Sequence, residues 1–345
     1  MDKLLTKIDS NIGWIILNRP EALNAITLPM FESIRETLNT WETDPSVRYV
    51  VIQGAGDKAF SAGGDVRAAT LAIKDGNSHG MESFFRKEYT INSHIRHYAK
   101  PFIALIDGIA MGGGLGVSIL GSHRIVTEKA RLAMPESAIG FFPDVGASTF
   151  LNWAPGSVGL FMALTGMHIN AADALWTGLG THYIPSSVLP QFKKDISEDV
   201  PLEKAIESYK QTPEEKGFLE THLEQINHHF NKPALIDIVK SLKRDHSPFA
   251  SNILNILMTK SPTSLAVIFR LFKIVAPPLT FEERLKMDFR LTVHFFKGHD
   301  FVEGVRALLI DKDKTPRWKP ARIKDVKDSD VDAYFAPLDE RELEL

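Results

Sequence analysis

Two stretches of the chain run from a β-like apolar segment straight into glycine: YVVIQGAGDKAFSAGGDVRA (49–68) and KPFIALIDGIAMGGGLGVSILG (100–121). A run rich in Val, Ile and aromatics that ends on glycine reads as a strand closing on a tight turn. Glycine triplets let backbones approach with no Cβ between them. WIILN (14–18) and RIVTE (124–128) are further short β runs. Between the first two strands, TLPMFESIRETLNTWETDP places Phe31, Ile34, Leu38 and Trp41 on one helical face, with Thr27 as the expected cap and Pro29 in the first turn. Strand, helix and strand joined by glycine-rich junctions predict an α/β fold.

The character changes near residue 190. QFKKDISEDVPLEKAIESYKQTPEEKGFLETHLEQINHHF is charged and helix-like, and from about 232 ALIDIVKSLKRD, FASNILNILMTKSP, SLAVIFRLFKIVAPP and FEERLKMDFRLTVHFFKGHDFVEGVRALL read as amphipathic helices. The tail IDKDKTPRWKPARIKDV is polar, bears prolines and is expected to be extended. At 345 residues the chain is long for one core, which predicts a main domain, residues 1–195, and a mainly helical C-terminal region with an extended tail, 196–345.

Several functional classes fall away early. Residues 101–121 approach the length of a membrane span, but Asp107 and the glycines interrupt them, so a buried strand running into a tightly packed helix is expected. A formal charge of −3 gives no global attraction for nucleic acid or an anionic membrane. The chain has no cysteine, which excludes disulfides, thiolate metal sites and cysteine nucleophiles. Asp2, Lys3, Lys7 and Asp9 stand where a secretory signal would be apolar, and the Arg- and Ser-rich character of an organellar leader is missing. The expectation is a cytoplasmic protein or a processed organellar form.

The glycine elements fail as phosphate loops. Gly116 to Gly121 has the right spacing, but Ser122-His123 follows where Lys-Ser/Thr is needed, and Gly114-Leu-Gly116-Val-Ser-Ile119 lacks the third glycine of a dinucleotide fingerprint. Two readings remain: tight turns and close packing, or backbone N–H groups converging on one oxygen, with a helix start adding its positive end. The stretch MPESAIGFFPDVG (134–146) carries Glu136 and Asp144 in apolar company with no cation, and an unpaired buried carboxylate is costly. His94, His97, His228 and His229 lack acids at metal spacing and are expected to be solvated or satisfied. No G-x-S-x-G elbow is present, and Phe102, Phe141, Phe142 and Trp153 are expected to be core and pocket wall.

The order FSAGGD, a KP-led strand, DGIAMGGG and MPE, opened by LNRPEALNAIT, resembles the crotonase, or enoyl-CoA hydratase, superfamily across almost the entire chain. The resemblance implies a spiral of strand–strand–helix turns in which 1–195 is the acyl-CoA-binding catalytic core. It also implies an oxyanion hole built from the backbone amides of Gly64 and Gly113. Hydratases of the superfamily carry a Glu two residues after the glycine triplet, where this chain has Gly116; the chain keeps their other acid as Glu136 and adds Asp144. That exchange resembles the subfamily that hydrolyses 3-hydroxyisobutyryl-CoA in valine breakdown. KSPTSL and GHDFVEGVRALLIDKDKTPRWKPA resemble it too, although Ala147-Ser148 follows PDVG where relatives often continue with glycines.

By that resemblance Glu136 and Asp144 are the catalytic pair. Glu136 attacks the thioester or activates water, and Asp144 orients it, binds the substrate hydroxyl or manages a proton. Glu88, in a Glu-Tyr pair, lies near substrate, competing with a reading as an exposed helix charge beside Arg86 and Lys87. Asp65 is expected to fix its loop. Two carboxyls in a dry pocket do not ionise together, so one pKa is expected to rise. The alternatives are a hydratase or isomerase of the same superfamily and a non-catalytic acyl-CoA-binding scaffold. No cofactor or metal is expected, CoA arriving as part of the substrate. The expected partner is a small acyl-CoA, with no nucleic acid and no membrane. The resemblance also implies a homo-oligomer, against which the long helical C-terminal part stands.

Overall fold

A computed structural model describes residues 2–66, 78–274 and 278–345. The end of the first glycine stretch, 67–68, and residues 275–277 of SLAVIFRLFKIVAPP lie outside the described residues. Tyr49–Gly54, Phe102–Ile106 and His123–Val126 are strands where β runs were expected, and Ile12–Leu17 begins two residues ahead of WIILN. With Leu4–Asp9 and His182–Tyr183 they form a six-stranded sheet, antiparallel in its first pair and parallel thereafter. Ala59–Ser61, Ile109–Met111 and Arg131–Ala133 form a second, three-stranded parallel sheet.

Each strand of the second sheet follows one of the large sheet in sequence, so the chain repeats strand, corner, strand and helical segment as a spiral. The corners need close backbone approach. Gly108 sits at φ +131°, and a Cβ there would lie 2.6 Å from the Lys58 carbonyl oxygen. The apolar run 101–121 therefore divides into two short strands and one helical turn, and among the described residues no helix is long and apolar enough to cross a membrane.

Side-chain alternation loads one face of the large sheet with Ile12, Trp14, Val51, Ile103, Leu105 and Ile125, which pack with Phe192 and Ile196 of the helix Leu189–Ser197. Helix Leu28–Thr43 buries Phe31, Ile34, Leu38 and Trp41, as its period predicts. Thr27 occupies the N-cap position, but its hydroxyl caps nothing and is buried without a partner. Pro29 at N2 removes one of the two N–H groups a cap accepts from, and the other, on Met30 at N3, is not taken up by the Thr27 hydroxyl.

The described chain forms two compact units. One comprises Met1–Asp65, Thr90–Ala133 and His168–Thr221, and holds both sheets; the other comprises Val66–Tyr89, Met134–Met167 and His222–Leu345. In the second unit the helices Pro248–Met258, Pro262–Lys273 and Phe281–Lys297 are capped by Ser247, Ser261 and Thr280, the last in a reciprocal capping box with Glu283. Phe85, Phe141, Phe142, Phe295, Phe296 and Phe301 form one aromatic cluster with ring centroids 4.7 to 6.4 Å apart. Trp153 departs from expectation. It is 37% exposed, because the 3-10 turn Leu151–Trp153 buries Leu151 and turns the indole outward. The tail over 312–318 forms no helix or strand, but it is not simply extended, since Lys312 and Lys314 take left-handed backbone at φ +58° and +57°; Arg306, which pairs with Glu303, Asp311 and Asp313, anchors it.

LNRPEALNAIT owes its form to Asn24. Buried and at φ +57°, Asn24 donates through Nδ2 to the carbonyls of Ala55 and Ala59, both at 2.8 Å, and accepts from the Arg19 N–H at 2.9 Å. Asn24→Ala strands these buried groups, each worth roughly 1–3 kcal/mol when left unpaired. Urea unfolding should show a loss of about 3 kcal/mol; a change below about 0.5 kcal/mol would mean that the turn holds without this side chain.

Candidate active site

The parallel pairing of Ala59–Ser61 with Ile109–Met111 lays the two glycine loops side by side. A Cβ on Gly63 would lie 2.8 Å from the Met111 carbonyl oxygen and 3.2 Å from the Gly113 nitrogen; one on Gly114 would lie 2.6 Å from the Ser61 oxygen. Close packing and exposed amides are thus the same feature here. Ile26 donates to the Gly63 carbonyl at 2.8 Å and accepts from the Asp65 N–H at 2.9 Å, a bridge that skips the N–H of Gly64. Gly113 is the first residue of the helix Gly113–Gly116, so its N–H has no carbonyl one turn back. Among the described residues neither amide donates to a protein acceptor. Four residues make one turn, so the field offered here is that of the amides rather than of a long helix. Asp65 accepts from Arg19 at 3.1 Å, and the same guanidinium nitrogen donates to the Ala25 carbonyl at 2.7 Å, fixing the loop.

The carboxyls gather in the second unit. Glu136 opens the 3-10 turn Glu136–Ile139, is buried, and leaves Oε2 with no hydrogen-bond partner. The helix His299–Val305 packs directly on this turn: a Cβ on Gly304 would lie 2.3 Å from the Ile139 carbonyl carbon, and one on Gly140 2.2 Å from the Asp300 carbonyl oxygen. Asp144, also buried, accepts through Oδ2 from the Tyr89 hydroxyl at 2.8 Å, and that hydroxyl lies 2.8 Å from Thr292 Oγ1. Two residues on, the Gly146 N–H donates to Asp288 Oδ2 at 2.8 Å. Glu88 is buried beside Tyr89 on the helix Ser78–Arg96, so the exposed-charge reading fails.

The family model for enoyl-CoA hydratase/isomerase matches residues 12–335. The chain belongs to that family. It is 42% identical over 353 residues to the 3-hydroxyisobutyryl-CoA hydrolase, mitochondrial, of Gallus gallus, covering 100% of this chain and 91% of that one. Among solved structures it is similar to an enoyl-CoA hydratase from Rhodobacter sphaeroides 2.4.1, at TM-score 0.93 and 32% identity over the full length of both chains. It is also similar to a carnitinyl-CoA dehydratase from Mycobacterium thermoresistibile, at TM-score 0.92 and 36% identity, covering 100% of this chain and 99% of that one. The architecture is therefore the crotonase spiral.

Burial and mutual charge shift the acids of this cluster upward. Burial raises the pKa of Glu88, and the charges of Asp144 and Glu136 raise it further, which places the three acids in one electrostatic neighbourhood. Glu136 is pushed well up by burial and then by Asp144. Asp144 is raised by burial to about 7, against the pull of the Tyr89 hydrogen bond. Asp288 is raised by burial, with the Gly146 N–H opposing. More than one of the acids is shifted, where only one was expected to be. Among the described residues no group of three or more His, Cys, Asp or Glu is arranged to hold a metal ion. His94 meets Glu42 at 3.0 Å, His229 lies between Ser241 and Asp245, and His97 and His228 are exposed.

Tyr89, Asp288 and Thr292 do not figure among the residues expected from sequence. Tyr89 stands next to Glu88, and Asp288 and Thr292 fall one turn apart among the inward positions Phe281, Leu285, Phe289 and Phe296. An acid on the apolar stripe of an amphipathic helix is the signal that marks Asp288.

The Asp144 shift carries a stability consequence with a definite sign. The folded chain binds a proton at Asp144 up to about pH 7, whereas the unfolded chain loses it near the ordinary value of 3.8. Stability from this group is full below the lower value and drains away as pH rises through the upper one. Asp144→Asn should therefore match the unsubstituted protein near pH 4 in urea unfolding and exceed it at pH 8, by on the order of 4 kcal/mol. Equal stabilities at pH 8 would contradict the raised value.

Proposed function

We propose that this chain hydrolyses the thioester of 3-hydroxyisobutyryl-CoA, or a similarly short 3-hydroxyacyl-CoA, to the free acid and CoA. The observation that carries the reading is the acid set: Glu136 and Asp144 are both buried and the Asp144 charge raises the Glu136 pKa, while position 116, where hydratases keep their second Glu, is a buried glycine. The full-length likeness to the Gallus gallus hydrolase supports it. Addition of water across a double bond calls for an acid at the missing position, whereas thioester hydrolysis needs a polarised carbonyl, an attacking oxygen and a proton for the departing thiolate.

The amides of Gly64 and Gly113 serve as the oxyanion donors. Both lack a protein acceptor among the described residues, and such a donor is typically worth roughly 3 kcal/mol to the transition state. Glu136 supplies the attack, on the thioester carbon itself or through water, and Asp144 handles the proton or the substrate hydroxyl. Glu88, whose pKa burial and its acidic neighbours raise, offers a hydrogen bond near the acyl group. No cofactor enters this scheme, because CoA arrives with the substrate.

The likeness to the solved enoyl-CoA hydratase supports one second reading, a hydratase. The two separate in one assay: release of thiol from 3-hydroxyisobutyryl-CoA followed with a thiol-reactive dye, beside loss of the enone absorbance of crotonyl-CoA. The chain contains no cysteine, so it adds no thiol of its own. Rapid thiol release is expected, with Glu136→Gln lowering turnover by roughly 10² to 10⁴ while acyl-CoA binding persists. Enone loss without thiol release would make the protein a hydratase.

A further inference from the structure

On the hydrolase reading two acids serve one reaction, and the hydrogen bonds they receive differ. Asp144 Oδ2 accepts from the Tyr89 hydroxyl at 2.8 Å, whereas Glu136 Oε2 is buried with no partner. A phenol has one proton. With that proton on Asp144, the Tyr89 oxygen can only accept from the Thr292 hydroxyl at 2.8 Å, so donation runs from Thr292 to Tyr89 to Asp144. Thr292 lies one turn beyond Asp288 on the helix Phe281–Lys297, and Asp288 holds the Gly146 N–H. One face of one helix thus secures the PDVG loop at its backbone and, through Tyr89, at its carboxyl. The aromatic ring of Tyr89 is itself fixed against Phe85 and Phe289, at centroid distances of 5.8 and 6.4 Å.

We propose, resting on the hydrolase reading, that Tyr89 and Thr292 are positioning residues forming a directed hydroxyl relay. The relay orients Asp144 and makes it the acid that carries the negative charge in the free enzyme, with Glu136 protonated. An O–H donor favours the charged form of its acceptor; Glu136 receives only its own backbone N–H and leaves Oε2 buried without a donor, which favours its neutral form. The charges facing the relay agree: Tyr89 is faced by Asp144, Asp288 and Glu88, the Asp144 charge disfavours ionisation of Glu136, and Arg284 bears on Asp288. With the charge on Asp144, the chemistry balances. As the Glu136 oxygen bonds to the thioester carbon, its proton passes to Asp144; as the C–S bond breaks, that proton passes to sulfur, leaving Asp144 ionised again. Water then opens the anhydride, giving one proton to Asp144 and its oxygen to the acid, and Asp144 returns the proton to Glu136.

The test reads the carboxyl directly. Protein labelled with ¹³C at its Asp side-chain carboxyls is titrated by NMR, and the Asp144 signal is identified by its loss in Asp144→Asn. Tyr89→Phe keeps the ring and deletes only the hydroxyl, so the Asp144 midpoint should rise by roughly one pH unit. Thr292→Val should move it the same way by less, and Thr292→Ser should leave it in place. In thiol release, the acid limb of kcat/KM should rise with the midpoint in Tyr89→Phe, while KM stays within about twofold. An unmoved Asp144 midpoint in Tyr89→Phe overturns the relay even if thiol release proceeds, and so does a Glu-labelled titration showing Glu136 ionising first. Shifted midpoints in a protein that releases no thiol sink the hydrolase reading and leave the relay standing.

Discussion

Burying carboxyls without a cation is the constraint on which the second unit depends. Glu88, Glu136, Asp144 and Asp288 are all buried, and among the described residues the first three form no ion pair with Lys or Arg. An ionised group in such surroundings loses its hydration, so the molecule responds with protonation and neutral donors: a phenol for Asp144 and a peptide N–H for Asp288. Neutral donors act only at short range and in line, which demands stiff surroundings. The phenylalanine cluster provides that stiffness while excluding water, and the glycines at 140 and 304 let a helix lie directly on the turn that carries Glu136. The C-terminal helices therefore support the acid cluster. Their charged outer faces tell little about it.

The first unit solves the opposite problem. There the scarce groups are donors left free, at Gly64 and Gly113, in a backbone that elsewhere pairs its N–H groups in one mixed and one parallel sheet. Freeing them takes a bridge that skips one residue and a helix start that leaves another without an acceptor. Spare donors suit a thioester carbonyl, which becomes more negative under attack. Protonated and hydrogen-bonded acids suit a substrate hydroxyl and a proton that must travel from one oxygen to sulfur.

Much of this was legible because it is local. Strand runs, the inward stripe Phe31, Ile34, Leu38 and Trp41, the glycine loops and the acids of MPESAIGFFPDVG all announce themselves within a few residues. The readings that failed depended on neighbours in space. Thr27 has the residue type of a cap and leaves its hydroxyl buried without a partner; Trp153 has the bulk of a core residue and is turned outward by a short 3-10 turn. Asp288 and Thr292 looked like ordinary members of an amphipathic helix, since no local pattern says that a loop some 140 residues earlier needs a carboxyl and a hydroxyl one turn apart.

The amino-acid sequence by itself determined the α/β class, the two glycine loops and the place of two acids in apolar company, because periodicity and backbone chemistry act between near neighbours; the spiral came from the family resemblance. The sequence also determined what is absent: no cysteine, and glycine in place of a second hydratase acid at position 116. Only the tertiary structure decided how those acids are held. Burial, hydrogen-bond direction and mutual charge are properties of the packed interior, and Tyr89, Thr292, Asp288 and Gly146 meet around Asp144 only once distant segments have come together.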